Sequence, residues 1–148
     1  MDFRFDIIYE YREMFWTGAK YTLGLTAFAV AVGTVLGLIG ALCRLANFEK
    51  GNIVLRALGW FLRTVSLLYV TLFRGTPLFV QIFIWHFIWS VALINPTDGW
   101  IISGDLAREL RKEYGALIAG ALALSTNAGA YITEIFRAGI QSIDRGQV

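Results

Sequence analysis

From Tyr21 to Cys43 the chain reads YTLGLTAFAVAVGTVLGLIGALC, without one charged side chain. At about 1.5 Å of rise per residue, a helix over this stretch covers roughly 34 Å, enough to cross a hydrocarbon core of about 30 Å. Two further uncharged stretches follow, Pro77 to Ile94 (PLFVQIFIWHFIWSVALI) and Gly115 to Thr133 (GALIAGALALSTNAGAYIT). Each covers roughly 27 to 29 Å by the same rise. Between the first two lies Ala57 to Phe73 (ALGWFLRTVSLLYVTLF), apolar except for Arg63 and joined to the next stretch by RGTP. Gly75 and Pro77 weaken a continuous helix there. One helix over Ala57 to Ile94 would be about 57 Å long, too long for a straight crossing. One crossing is therefore expected in this region, with the remainder bent or lying at the interface. The pattern predicts an all-α, polytopic helical membrane protein with three transmembrane crossings plus an amphipathic or interfacial helical stretch.

Composition agrees with a bilayer as solvent: 57% of residues are hydrophobic and the mean hydropathy is +0.59. A formal net charge of +2 gives no footing for nucleic-acid binding. The opening stretch MDFRFDIIYEYREMFWT mixes acidic, basic and aromatic residues, and the apolar run after it is too long for a secretory signal. Where the charges lie matters more than their sum. Arg44, Lys50, Arg56, Arg63 and Arg74 stand against Glu49 alone between the first span and Pro77, which places this loop in the cytoplasm. With three crossings the N-terminus and the Asn95 to Tyr114 connection are then outside, and the Val148 end is inside. Trp60, Trp85, Trp89 and Trp100 suit interfacial anchoring.

Polar residues inside the apolar stretches need a protein partner or a watery cavity. Thr126 and Asn127 in the last span, and Gln81 and His86 in the stretch after Pro77, either hold neighbouring helices together or line a route for a polar solute. Gln81 and His86 are five residues apart, on different parts of a helix surface. Asn127, Tyr131, Glu134 and Ala138 share one helical face, and Glu134 with Arg137 has the i, i+3 spacing of a local ion pair. Gly33 and Gly37, with Gly24 and Gly40 nearby, have the small-residue spacing that permits close helix approach. No catalytic constellation is present. A serine with matched histidine and carboxylate, a phosphate-binding GxxxxGK[ST] loop and an HExxH site are all missing. The lone cysteine, Cys43, and lone histidine, His86, offer no metal-ligand set.

Two stretches read together carry more: FRGTPLFVQIF, Phe73 to Phe83, and AYITEIFRAGIQSIDRGQV, Ala130 to Val148. In that order, separated by a span and a loop, they closely resemble the permease subunits of bacterial ABC importers for polar amino acids, the family of histidine, glutamine, glutamate and arginine uptake systems. Arg74, Gly75, Thr76 and Pro77 match its RGTP motif, and Glu134, Arg137, Gly139, Ile143, Gly146 and Gln147 match its second motif. The resemblance implies that both sets serve helix geometry and coupling before solute binding. In that family the second motif leads into the EAA segment, whose cytoplasmic coupling helix docks on the ATPase. Residues 1–148 are thus expected to be the N-terminal part of such a transmembrane domain, truncated before the coupling segment.

The resemblance further implies a bacterial inner-membrane subunit that works with ABC ATPase subunits, a second permease subunit in a homo- or heterodimer, an extracytoplasmic solute-binding protein and membrane lipid. ATP and Mg would be bound by the partner ATPase, with no cofactor in this chain. A permease for another small solute, such as methionine or an opine, and a passive channel-forming subunit are the competing functions.

Overall fold

The computed structural model describes residues 5–46, 48 and 51–143. Among them the chain is helical: α1 (Phe5–Glu10), α2 (Arg12–Leu45), α3 (Ile53–Gly75), α4 (Leu78–Ile84), a π-helical turn at Trp85–Trp89, α5 (Ser90–Leu93) and α6 (Gly104–Gln141). The only β pairing among the described residues is an isolated parallel bridge from Ile94 to Ile102, closing the connection before α6.

The helices outrun the uncharged stretches. α2 has 34 residues and α6 has 38, because their charged flanks are rich in Arg, Glu, Lys and Ala, which favour helix. Asn52 caps α3, its side chain accepting the Leu55 amide at 3.0 Å. Gly104 opens α6 at φ +76, a backbone region in which a side chain is strained.

Three helices, α2, α3 and α6, are long and apolar enough to cross a membrane. Here the structure corrects the sequence reading. The region Ala57 to Phe73, left open as a crossing, lies inside the continuous 23-residue α3. The stretch Pro77 to Ile94, read as a span, is a shorter apolar run over Leu78–Leu93, roughly 24 Å long. The physical reason is local: Thr76 and Pro77 both have extended backbone, at ψ 143 and 137, which stops α3 and restarts the chain as α4.

Side-chain register gives the helices their directions. Along α2, Gly33 faces Ala128, Gly37 faces Ile132, Gly40 faces Thr133 and Arg44 faces Glu134, so α2 and α6 run parallel. Arg63 donates to the Ala46 carbonyl, Ser66 to that of Gly40, and Tyr69 lies against Gly129, so α3 runs the other way. The break after α3 lies beside Asn127, partway along the uncharged Gly115 to Thr133 run. The return passage is therefore bent within the bundle, and the starts of α2 and α6 share one side.

Packing follows membrane logic. Small residues fill the interior, including Ala29, Ala41, Ala119, Ala123, Ala130, Ser66, Ser125 and Thr133. Large apolar ones such as Phe28, Val35, Ile39, Leu68, Leu72 and Ile135 face outward. The α2–α6 seam depends on glycine: a Cβ at Gly37 would sit 2.5 Å from Ile132 Cγ2, and one at Gly40 would sit 2.4 Å from Thr133 Oγ1.

Candidate functional site

Proline 77 has no amide hydrogen, so the Phe73 carbonyl, four residues earlier, loses its helical donor. An orphaned carbonyl away from water is costly, and side chains replace the missing amide. Gln81 Nε2 donates to Phe73 O at 2.7 Å and lies 3.0 Å from Thr76 O and 2.9 Å from Thr76 Oγ1. Asn127 Nδ2, from α6, reaches the same Phe73 carbonyl at 3.1 Å and the Gln81 Oε1 at 3.1 Å. Gln81 is 4% exposed, so its amide is committed to this junction.

One turn away, Trp85 Nε1 donates to Thr126 Oγ1 at 3.2 Å, and the Tyr69 hydroxyl donates to the Thr126 carbonyl at 2.6 Å. Thr126 Oγ1 in turn donates to Leu122 O at 2.8 Å. Three of the four residues named as a solute route, Gln81, Thr126 and Asn127, thus converge on the bend, while no described hydrogen bond joins His86 to them. The His86 carbonyl accepts from the Ser90 hydroxyl, and its ring meets Phe87 edge-on at 4.7 Å. Trp85, expected among the interfacial anchors, points into the bundle. Trp60 and Trp100 are exposed, as anchors require. A cavity of about 290 Å³ lies beside the bend, with Phe73, Thr76, Gln81, Trp85 and Trp89 in its wall.

The second motif builds a charge junction at the opposite ends of α2 and α6. Arg137 donates to Glu134 Oε2 through Nε at 3.0 Å and Nη2 at 2.8 Å, both onto one oxygen, and so forms the local ion pair that the i, i+3 spacing predicts. The other carboxylate oxygen, Oε1, lies 3.4 Å from Arg44 Nη1, and both atoms are buried. Arg137 also donates to Gln141. From the first motif, the Arg74 guanidinium sits 5.1 Å from the Tyr131 ring centre, a cation–π contact that ties RGTP to the second motif. Gly75 and Gly139 have open space where a Cβ would lie, and Ile143 is exposed. Gly146 and Gln147 lie outside the described residues.

Sequence reasoning treated Arg44 only as loop charge, and missed it as the partner of Glu134. A signal existed: Arg44 is the first charge after one long uncharged run and Glu134 the first after another, so parallel helices bring them level. Tyr69 carried no such signal, since nothing local distinguishes it from a lipid-facing tyrosine. The arrangement holds helices together and exchanges hydrogen bonds. Among the described residues no group of three His, Cys, Asp or Glu side chains is placed to hold a metal ion.

The chain is 33% identical over 132 residues to an arginine transport system permease protein of Corynebacterium glutamicum, covering 89% of this chain and 37% of that one. It is 32% identical over 142 residues to an L-cystine transport system permease protein of Bacillus subtilis, covering 92% and 47% respectively. A Rickettsia typhi protein named for glutamine transport is 34% identical over 130 residues, covering 88% of this chain and 47% of that one. The chain therefore spans about half the length of the curated relatives it matches, or less. A crystal structure of an amino acid ABC transporter with histidines superposes with a TM-score of 0.63 at 30% identity, over 99% of this chain and 55% of the other. No protein-family model matches the chain.

Proposed function

We infer that this chain, a homologue of amino acid ABC transport permeases over most of its length, forms part of the membrane-spanning subunit of an ATP-driven importer of polar amino acids. The observation that carries this reading is the combination of three separately named amino acid permeases with a structural match over almost the whole chain. Those names favour import of a polar amino acid over import of methionine or an opine, and over a passive channel. The chain itself supplies no catalytic group. ATP hydrolysis belongs to partner ATPase subunits, and delivery of solute belongs to an extracytoplasmic binding protein, with a second permease subunit completing the pathway.

Within this reading the two motifs have different mechanical tasks. Gln81, Thr126 and Asn127 hold the bend after α3 against α6, so that the return passage and α6 move together. Glu134, Arg137 and Arg44 tie the ends of α6 and α2, so that force from the cytoplasmic side reaches two helices. The basic excess of Arg44, Arg56 and Arg63 supports an inside position for that end.

The test is uptake of labelled glutamine, arginine and cystine by proteoliposomes holding the full-length permease with its ATPase and binding protein. ATP-dependent accumulation of at least one of them is expected. Solute flux that proceeds equally without ATP would contradict the proposal and restore the channel.

A further inference from the structure

The start of α3 projects past the charge junction and is built unlike the rest of the bundle. Arg63 fixes the connection from α2 by donating to the Ala46 carbonyl at 2.6 Å. Gly59 lets Phe48 fold onto α3, since a Cβ there would lie 2.8 Å from the Phe48 ring. Arg56, Trp60 and Arg63 follow at i, i+4 and i+7, on one helical face. With Phe48 they line a cavity of about 190 Å³.

Three observations specify what fits there. Two guanidinium groups border one cavity; that of Arg63 is held by the Ala46 carbonyl, while the Arg56 side chain has no hydrogen-bond or ion-pair partner among the described residues. Guanidinium forks match the oxygens of a phosphate. The same helix exposes Ile53 at 82%, Val54 at 68%, Trp60 at 68% and Phe61 at 56%, an apolar skirt that water would not favour beside a free anion's site. Arg63 is also bonded to Ala46, just beyond the end of the uncharged Tyr21 to Cys43 run, which is the depth at which lipid phosphates lie. Basic pockets between helices at this depth take lipid headgroups, and indole prefers the same layer.

We propose that Arg56, Trp60, Arg63 and Phe48 form a binding site for the phosphate of an anionic phospholipid, whose acyl chains lie along the exposed apolar side of α3. The lipid would brace the connection between α2 and α3 and fix the depth of the bent passage. The site needs only that the chain sits in a bilayer, so it stands or falls separately from the transported solute.

The experiment uses the full-length protein in nanodiscs containing phosphatidylcholine and phosphatidylglycerol, with one or the other lipid brominated on its acyl chains. Quenching of Trp60 is obtained as the difference between the native protein and Trp60→Phe. Brominated phosphatidylglycerol is expected to quench Trp60 well beyond brominated phosphatidylcholine at equal mole fraction. Arg56→Gln is expected to reduce that preference about fivefold, the weight of one interfacial arginine, and Arg56→Lys to fall between the two, keeping the charge but losing the fork. Equal quenching by both lipids in the native protein, or an unchanged preference in Arg56→Gln, would overturn the proposal. Millimolar inorganic phosphate should leave the signal intact; its loss would assign the site to a free anion instead.

Discussion

Glu134 is shared between two arginines, and this changes what substitution at the pair does. Its two carboxylate oxygens divide the work, Oε2 to Arg137 and Oε1 to Arg44. The three side chains are 20 to 29% exposed, so removing one partner leaves a charge that water reaches only in part. Glu134→Gln should therefore lower the thermal midpoint of the detergent-solubilised protein, read by circular dichroism, more than Arg137→Gln does, because it removes both ion pairs, whereas Arg137→Gln leaves Glu134 paired with Arg44. Exchanging Glu134 with Arg137 would restore a local pair but set an arginine against Arg44, so the exchange should stay as impaired as the single variants. Full recovery by that exchange would show that Arg44 contributes nothing. The i, i+3 pair was legible in the sequence because it is local. The Arg44 contact was not, because it depends on the parallel packing of two helices far apart in the chain.

At the scale of the element, the bend after α3 is held by replacement of one hydrogen bond. Proline takes the donor from Phe73, and Gln81 and Asn127 return two. Asn127→Ala should cost about 0.6–1 kcal/mol, the usual worth of an interhelical hydrogen bond in a membrane bundle. In a Pro77→Ala background the backbone amide can serve Phe73 directly, and the same Asn127→Ala change should cost measurably less. A double-mutant cycle on unfolding in mixed micelles reads this coupling, and strict additivity would contradict the account. The seam between α2 and α6 predicts a larger effect. Gly37→Val would force branched methyls into Ile132, and overpacking of this kind costs about 1–3 kcal/mol, visible as a fall in the fraction surviving solubilisation. The GxxxG spacing made a close-packing face of α2 readable in advance, but not α6 as its partner. The choice of α3 over the stretch after Pro77 was not readable, because both are apolar and only the extended backbone at Thr76 and Pro77 separates them.

For the molecule as a whole, the parallel course of α2 and α6 requires one net return between them, which the bent passage from α3 to α5 supplies. Under the proposed function charge bias sets the absolute direction, with the side that carries Arg44, Arg56 and Arg63 in the cytoplasm, while Arg74, counted in the same loop from the sequence, lies at the break after α3 against Tyr131. Three crossings are then expected, with both the charge junction and the basic start of α3 facing inward. Single-cysteine labelling in intact cells, in a Cys43→Ser background, tests this most directly. A membrane-impermeant maleimide applied outside should modify a cysteine at position 98 and leave cysteines at positions 56 and 142 unmodified until the cells are opened. External labelling at 142 together with 98 would contradict three crossings, and labelling at 56 but not at 98 would invert the orientation.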